Sequence, residues 1–162
     1  DTYRMIVSHN VACEPKNFAV GVRIEHTQDF VNHCQYGQYA KYLAPASYRL
    51  THTTSTGRGV YTFCMCPGGY VVNSSSEEKR LVVNGMSYSG RNSSTANSAI
   101  IISVTTEDFG GSDPLAGMRY QQKLEEKAFK LCDGKIPQQL YGDYCENRIS
   151  TAYGDFSSNA KG

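Results

Sequence analysis

The stretch Tyr61-Thr62-Phe63-Cys64-Met65-Cys66-Pro67-Gly68-Gly69-Tyr70-Val71-Val72 limits what this chain can fold into more than any other. Aromatic and β-branched residues fill both arms, which suits extended backbone. Pro-Gly-Gly between them supplies the angles of a sharp reversal. The expectation is a strand, a tight turn and a second strand. Cys64 and Cys66 stand two apart at the end of the first arm, a spacing that puts both thiols on one face of a regular strand. Gly68 and Gly69 lack a Cβ, so a ligand or another backbone can come close to the turn.

Alternation marks further strands. Phe18, Val20, Val22 and Ile24 share one face and Arg23 and Glu25 the other, so Phe18 to Glu25 predicts a half-buried strand with its apolar face inward. Tyr48–Thr54, Val60–Cys66, Tyr70–Asn73 and Leu81–Val83 predict an antiparallel meander of about four strands, with Ser55–Gly59 as one turn. Asn84–Asn97, rich in Asn, Ser and Gly, predicts a long loop of the kind that often carries function. Ala99–Val104, apolar on both faces until Ser103, predicts the most buried strand.

Helical signals are fewer. Thr2–His9 predicts a short helix, and Thr27 caps a second over Gln28–Tyr36 that Gly37 ends. Asp113 as cap and Pro114 as first helical residue open the long helix. Its apolar stripe is Tyr120, Leu124, Ala128 and Leu131, and Gly134 stops it. From Lys135 onward the sequence is turn-rich. The fold class is therefore α+β: an antiparallel meander, open to barrel-like closure, with one long amphipathic helix and short ones.

At 162 residues, with 40% hydrophobic and 19% charged, residues 1–162 read as one globular domain. Lys+Arg of 16 against Asp+Glu of 15 gives a formal charge of +1, which provides no electrostatic case for nucleic acid or an anionic membrane. No apolar run reaches the roughly 20 residues of a spanning helix. The N-terminus, Asp1-Thr2-Tyr3-Arg4, reads as the edge of a piece excised from a longer protein. The six cysteines are expected as reduced, cytoplasmic thiols. The alternative is an extracellular disulfide-linked β-domain, toward which the acceptor patterns at Asn73 and Asn92 weigh slightly.

The Cys64-x-Cys66 pair admits several chemistries: a redox pair, a metal half-site, the lining of a cofactor, or two small buried hydrophobes. No second close Cys/His pair accompanies it, and its spacing is not the Cys-x-x-Cys of zinc knuckles or thioredoxin-like sites, so no metal is assigned. There is no Gly-x-Ser-x-Gly elbow and no Gly-x-Gly-x-x-Gly after a strand. Gly57-Arg58-Gly59 reads as a turn, Arg91 as the best anion contact, and His52 as a surface residue with acid–base potential.

Several strings resemble one family, the bacterial FAD-dependent dehydrogenases often labelled NAD(FAD)-utilizing. They are Phe18-Ala-Val-Gly-Val-Arg-Ile-Glu-His26, Gly57-Arg-Gly-Val-Tyr-Thr-Phe-Cys-Met-Cys-Pro-Gly-Gly69, Val83-Asn-Gly-Met-Ser87, Ala96-Asn-Ser-Ala99 and Asp113-Pro-Leu-Ala-Gly117. Cys-Met-Cys-Pro-Gly-Gly is the most specific of them. Thr27 departs from the pattern, where Pro follows the Glu-His pair. The resemblance implies a domain inserted into a flanking Rossmann-type FAD domain of the same parent, and FAD bound by that parent and not by this chain alone. It implies a lid role in which Pro67, Gly68 and Gly69 face the flavin and Cys64 and Cys66 sit beneath, as packing or as redox thiols. Arg91 and Asn97 are the expected contacts to a small-molecule substrate. A partner-binding or assembly module without a catalytic role is the other reading.

Overall fold

The computed structural model describes residues 2–154; Asp1 and the end of the chain from 155 lie outside the described residues. Among the described residues, five α-helices and six strands follow in the order α1 (Thr2–Ser8), β1 (Phe18–Thr27), α2 (Gln28–Tyr36), β2 (Thr51–Thr53), β3 (Gly59–Cys66), β4 (Gly69–Asn73), β5 (Val83–Ser87), β6 (Thr95–Val104), α3 (Thr106–Phe109), α4 (Ala116–Leu131) and α5 (Tyr141–Cys145). A 3-10 turn, Gly37–Tyr42, extends α2. The fold is α+β and every strand pairing is antiparallel, as the sequence predicts.

The strands divide between two sheets: a four-stranded one in the order β1-β6-β3-β2 and a two-stranded one of β4 and β5. The Pro67-Gly68 turn therefore does not close a hairpin. It hands the chain from the large sheet to the small one, and neither sheet closes into a barrel. β5 and the start of β6 occupy half of the stretch expected as the long loop, which shrinks to residues 88–94. Asn and Gly disguised β5, because its residues are chosen for the close approach described below and not for strand propensity.

Local signals hold at α2: the Thr27 hydroxyl accepts from the Phe30 N–H at 3.1 Å, and Gly37 ends the helix at φ 54°. α4 begins two residues later than expected, at Ala116. Asp113 instead caps the turn before it, accepting from the Leu115 N–H at 2.8 Å and pairing with Arg119. The Asp113 carboxyl is held below its usual range by that backbone bond first and by Arg119 second.

Register decides which face of β1 is inside. Val22 stands opposite Ile100, and Arg23 opposite Ala99. Val22 is 69% exposed, whereas Arg23 and Glu25 are half-buried beneath the β4–β5 ribbon. The expected inward face of β1 is thus reversed at its centre. In β6 the deepest residues are the polar Thr95, Asn97 and Ser98 with Ala96, not the isoleucines. The main core is small: Val31, Ala46 and Ala96, flanked by Tyr36, Tyr48 and Met65. A second, aromatic cluster joins Phe18, Phe109 and Tyr120 where α3 and α4 meet the sheet.

Candidate functional site

The site begins with a fault in β3. Phe63 pairs with Ala99 and Cys66 with Asn97, so three residues of β3 span two of β6. The extra residue makes a β-bulge, and Cys64 takes φ 46°, a left-handed backbone uncommon for a side-chain-bearing residue. The regular alternation that would put Cys64 and Cys66 on one face is therefore broken. Cys64 is exposed, Cys66 is half-buried, and the Cys66 thiol donates to the Cys64 carbonyl at 3.3 Å. None of the six cysteines is paired with another.

Beside the bulge lies an open cleft of about 760 Å³. Cys64, Cys66 and Pro67 form one wall, and Asn84, Tyr88 and Arg91 belong to the other. Four of the residues expected at the site, Cys64, Cys66, Pro67 and Arg91, thus meet in one place. Gly68, Gly69 and Asn97 are buried behind it. His52 lies exposed on the edge strand β2, outside the cleft. Arg58 is used structurally, in a bidentate pair with Asp108 at 2.6 and 2.7 Å. That pair, together with the Thr105 N–H, holds the Asp108 carboxyl far below its usual range.

The two glycines admit backbone. A Cβ on Gly68 would stand 2.0 Å from the Arg91 carbonyl oxygen, and one on Gly69 2.3 Å from that of Met86. The Gly68 N–H is already committed, donating at 2.7 Å to Gln28 Oε1. Gln28 is 4% exposed, and its amide nitrogen donates to Asn32 Oδ1 at 2.8 Å and the Ala46 carbonyl at 3.0 Å. One side chain at the first turn of α2 therefore fastens the central turn to α2 itself and to Ala46, beyond the 3-10 turn. No sequence signal marks Gln28, because its partners become neighbours only in the folded chain.

Arg23 is the second residue the sequence did not single out. Its guanidinium donates to Asn97 Oδ1, to the Cys64 carbonyl at 3.2 Å and to Asn84 Oδ1 at 3.4 Å. Gly85 makes room for it, since a Cβ there would lie 2.1 Å from Arg23 Nη1. Four separate strings of the sequence, around Arg23, Cys64, Asn84 and Asn97, therefore converge at the cleft floor. Asn97 is fully buried and accepts from Arg23, so it stands behind the cleft wall.

Around this floor lie unusual titrating groups. Glu25 Oε1, His26 Nδ1 and Asn97 Nδ2 are buried without a hydrogen-bond partner among the described residues. Burial pushes the Glu25 carboxyl up, opposed by the Val71 backbone, and pushes His26 down, opposed by a backbone bond. His26 Nε2 shares a 2.7 Å hydrogen bond with the Tyr48 hydroxyl, which burial pushes up. The signs give opposite slopes. Unfolded Glu25 ionises as pH rises through 4.5 while the folded form keeps its proton, so stability falls from there until the folded group also ionises. Unfolded His26 takes a proton as pH falls through 6.5 while the folded form stays neutral, so stability falls in that direction. Glu25→Gln is expected to raise the urea midpoint at pH 7 and to leave it unchanged below pH 4. An equal shift at both pH values would show that ionisation is not the cause.

Among the described residues, no three His, Cys, Asp or Glu side chains converge as a metal site, and no helix is long and apolar enough to cross a membrane. The family described as "FAD-dependent protein, C-terminal domain-like" matches residues 17–162. A Clostridium beijerinckii protein described as uncharacterized is 51% identical over 160 residues. That match takes in 96% of this chain and 30% of the relative, so the chain spans about a third of the relative's length. With the match running from just before β1 to the end of the chain, and including every residue of the cleft, this chain belongs to the FAD-dependent protein, C-terminal domain-like family.

Proposed function

We propose that this chain is the substrate-side lid domain of a cytoplasmic FAD-dependent oxidoreductase, of the kind labelled NAD(FAD)-utilizing dehydrogenases. In this reading it is inserted into a Rossmann-type FAD domain of a longer parent. The observation that carries the reading is the convergence of four strings on one cleft floor beside Cys-Met-Cys-Pro-Gly-Gly, in a chain of an FAD-dependent family. When bound by the parent, FAD supplies the electron transfer.

The residues here suit covering a flat ring and not gripping a dinucleotide. The chain has no Gly-rich phosphate fingerprint, and the Gly68 N–H is occupied by Gln28. Contact with a flavin would therefore fall to the exposed Cys64, with the buried Pro67, Gly68 and Gly69 shaping the wall behind. The Cys66 thiol, half-buried and bonded to a carbonyl, acts as packing. Cys64 is the thiol that a ligand in the cleft would meet.

The test is the visible absorption spectrum of the longer parent beside that of this chain alone. A flavin spectrum in the parent and none in the chain is expected, with Cys66→Ser nearly as active as wild type. A parent that is colourless and takes up no added FAD would overturn the reading.

One observation favours a second reading, a partner-binding module. The chain exposes 11429 Å², where a compact monomer of 17.9 kDa exposes about 8,000 Å². Val22, Leu50 and Phe63 are among the exposed apolar side chains. Surface of this kind calls for a cover, either the flanking FAD domain or a separate protein. Limited proteolysis of the parent separates the two, since protection of Val22 within the parent alone favours the first.

A further inference from the structure

Charge around the cleft is one-sided. Arg91 is the single charged residue on its walls, with no Asp, Glu, Lys or His beside it. The Arg91 backbone is fixed: its φ is 46°, its N–H donates to the Tyr88 carbonyl at 3.0 Å, and its own carbonyl is packed over Gly68. A second guanidinium, that of Arg23, lies directly below. Two of its three acceptors, the Cys64 carbonyl and Asn84 Oδ1, belong to cleft residues, and all three are neutral.

Arg58, Arg80, Arg119 and Arg148 each hold an Asp or Glu carboxylate, while among the described residues no carboxylate pairs with Arg23, Arg91 or the exposed Arg49; of these three, Arg23 and Arg91 stand at the cleft. Glu25, two residues along the same face of β1, turns to the Val71 backbone, and burial favours its neutral form. Two positive charges without a carboxylate partner, Arg91 exposed at the open cleft and Arg23 half-buried beneath it, attract an anion more strongly than the overall charge of +1 suggests. The remaining walls include Met65, Pro67, Met86 and Tyr88, which suit an apolar body.

We propose that the cleft binds the anionic group of a small molecule, a carboxylate or a phosphate, with Arg91 in direct contact and Arg23 supplying the field from beneath, and that this places the anion beside the Cys64 thiol. The substrate class this names rests on the reading of the cleft as the substrate face. Arg is the side chain suited to both groups, because its planar fork presents parallel donors to two oxygens.

The thiol itself reports the field. Cys64 in the purified protein is alkylated in parallel with iodoacetate, which carries a carboxylate, and with neutral iodoacetamide. In both reactions the thiolate displaces iodide and forms one S–C bond, so only the reagent's charge differs. Peptide mass spectrometry resolves Cys64 from the exposed Cys34 and Cys145. At low salt the iodoacetate-to-iodoacetamide ratio at Cys64 is expected to exceed that at the two controls by on the order of tenfold, and to collapse in high salt. Arg91→Gln, a change on an exposed loop, should bring it down to the controls.

A ratio at Cys64 equal to the controls, or unmoved by Arg91→Gln, overturns the proposal. Protection of Cys64 by benzoate and not by inorganic phosphate assigns a carboxylate on an apolar body. The converse assigns a phosphoryl group, and protection by neither overturns the binding. The readout needs neither flavin nor turnover, so its failure and that of the flavin reading are independently visible.

Discussion

Gly68→Ala is expected to unfold the central turn, with a loss of about 4–5 kcal/mol, at the upper end of what single substitutions cost. Two effects add. The φ of 52° is left-handed backbone, which costs a side-chain-bearing residue about 1–2 kcal/mol. The new Cβ would also stand 2.0 Å from the Arg91 carbonyl oxygen and 2.3 Å from its carbon, and backbone cannot swing aside as a side chain can. Relief requires the Tyr88–Ser94 loop to lift away, which would open the cleft wall and move Arg91. Denaturant unfolding gives the stability, and the Arg91-dependent reactivity of Cys64 gives the geometry. A variant with an unchanged midpoint would mean that the loop already lies away from the turn.

Gln28→Ala is expected to cost about 3–5 kcal/mol, because it leaves several buried groups without partners at about 1–3 kcal/mol each. The Gly68 N–H and the Ala46 carbonyl lose their bonds outright, and Asn32 Oδ1 keeps only the Ala46 N–H. Gln28→Glu tests the polarity of the arrangement. It keeps an acceptor for Gly68 but turns an oxygen toward Asn32 Oδ1 and the Ala46 carbonyl, so it should rescue little. Full stability in Gln28→Glu would show that Gly68 is the one partner that matters. Amide exchange at Gly68 should accelerate in both variants.

How far the sequence could be read follows from the range of the forces involved. Thr27 and Gly37 bound α2 because capping is decided within one turn of chain. β3 was legible from its aromatic and β-branched residues, but the bulge at Cys64 was not. Its cause is the register with Asn97, a residue far along the chain. The two sheets were not legible for the same reason. Local pattern shows that strands flank Pro67-Gly68-Gly69, yet only the packing of Gly68 against Arg91 and of Gly69 against Met86 decides that they part.

Arg23 and Glu25 illustrate the sharpest failure. Alternation placed them outward because charged residues usually face water. The β4–β5 ribbon covers that face instead, and Asn84 of β5 joins the Cys64 carbonyl of β3 and Asn97 of β6 as neutral acceptors for the guanidinium. Of the residues that line the cleft, residue type singles out Cys64, Cys66, Pro67 and Arg91. It does not single out Gln28, since a glutamine after a helix cap carries no signature.

The pairing of β1 with β6 also sets an order of events during synthesis. Phe18 pairs with Val104, so β1 must wait for β6, the last of the described strands, before it has a neighbour. β2 with β3 and β4 with β5 are short-range pairs and can form meanwhile, but the large sheet has no centre until β6 arrives. At about 5–20 residues per second the wait lasts on the order of 5–20 s. Throughout it Phe18, Val20, Val22 and Ile24 form an unpaired apolar ribbon. The nascent chain thus offers holdase chaperones a binding segment at β1, for as long as translation of the stretch up to β6 takes.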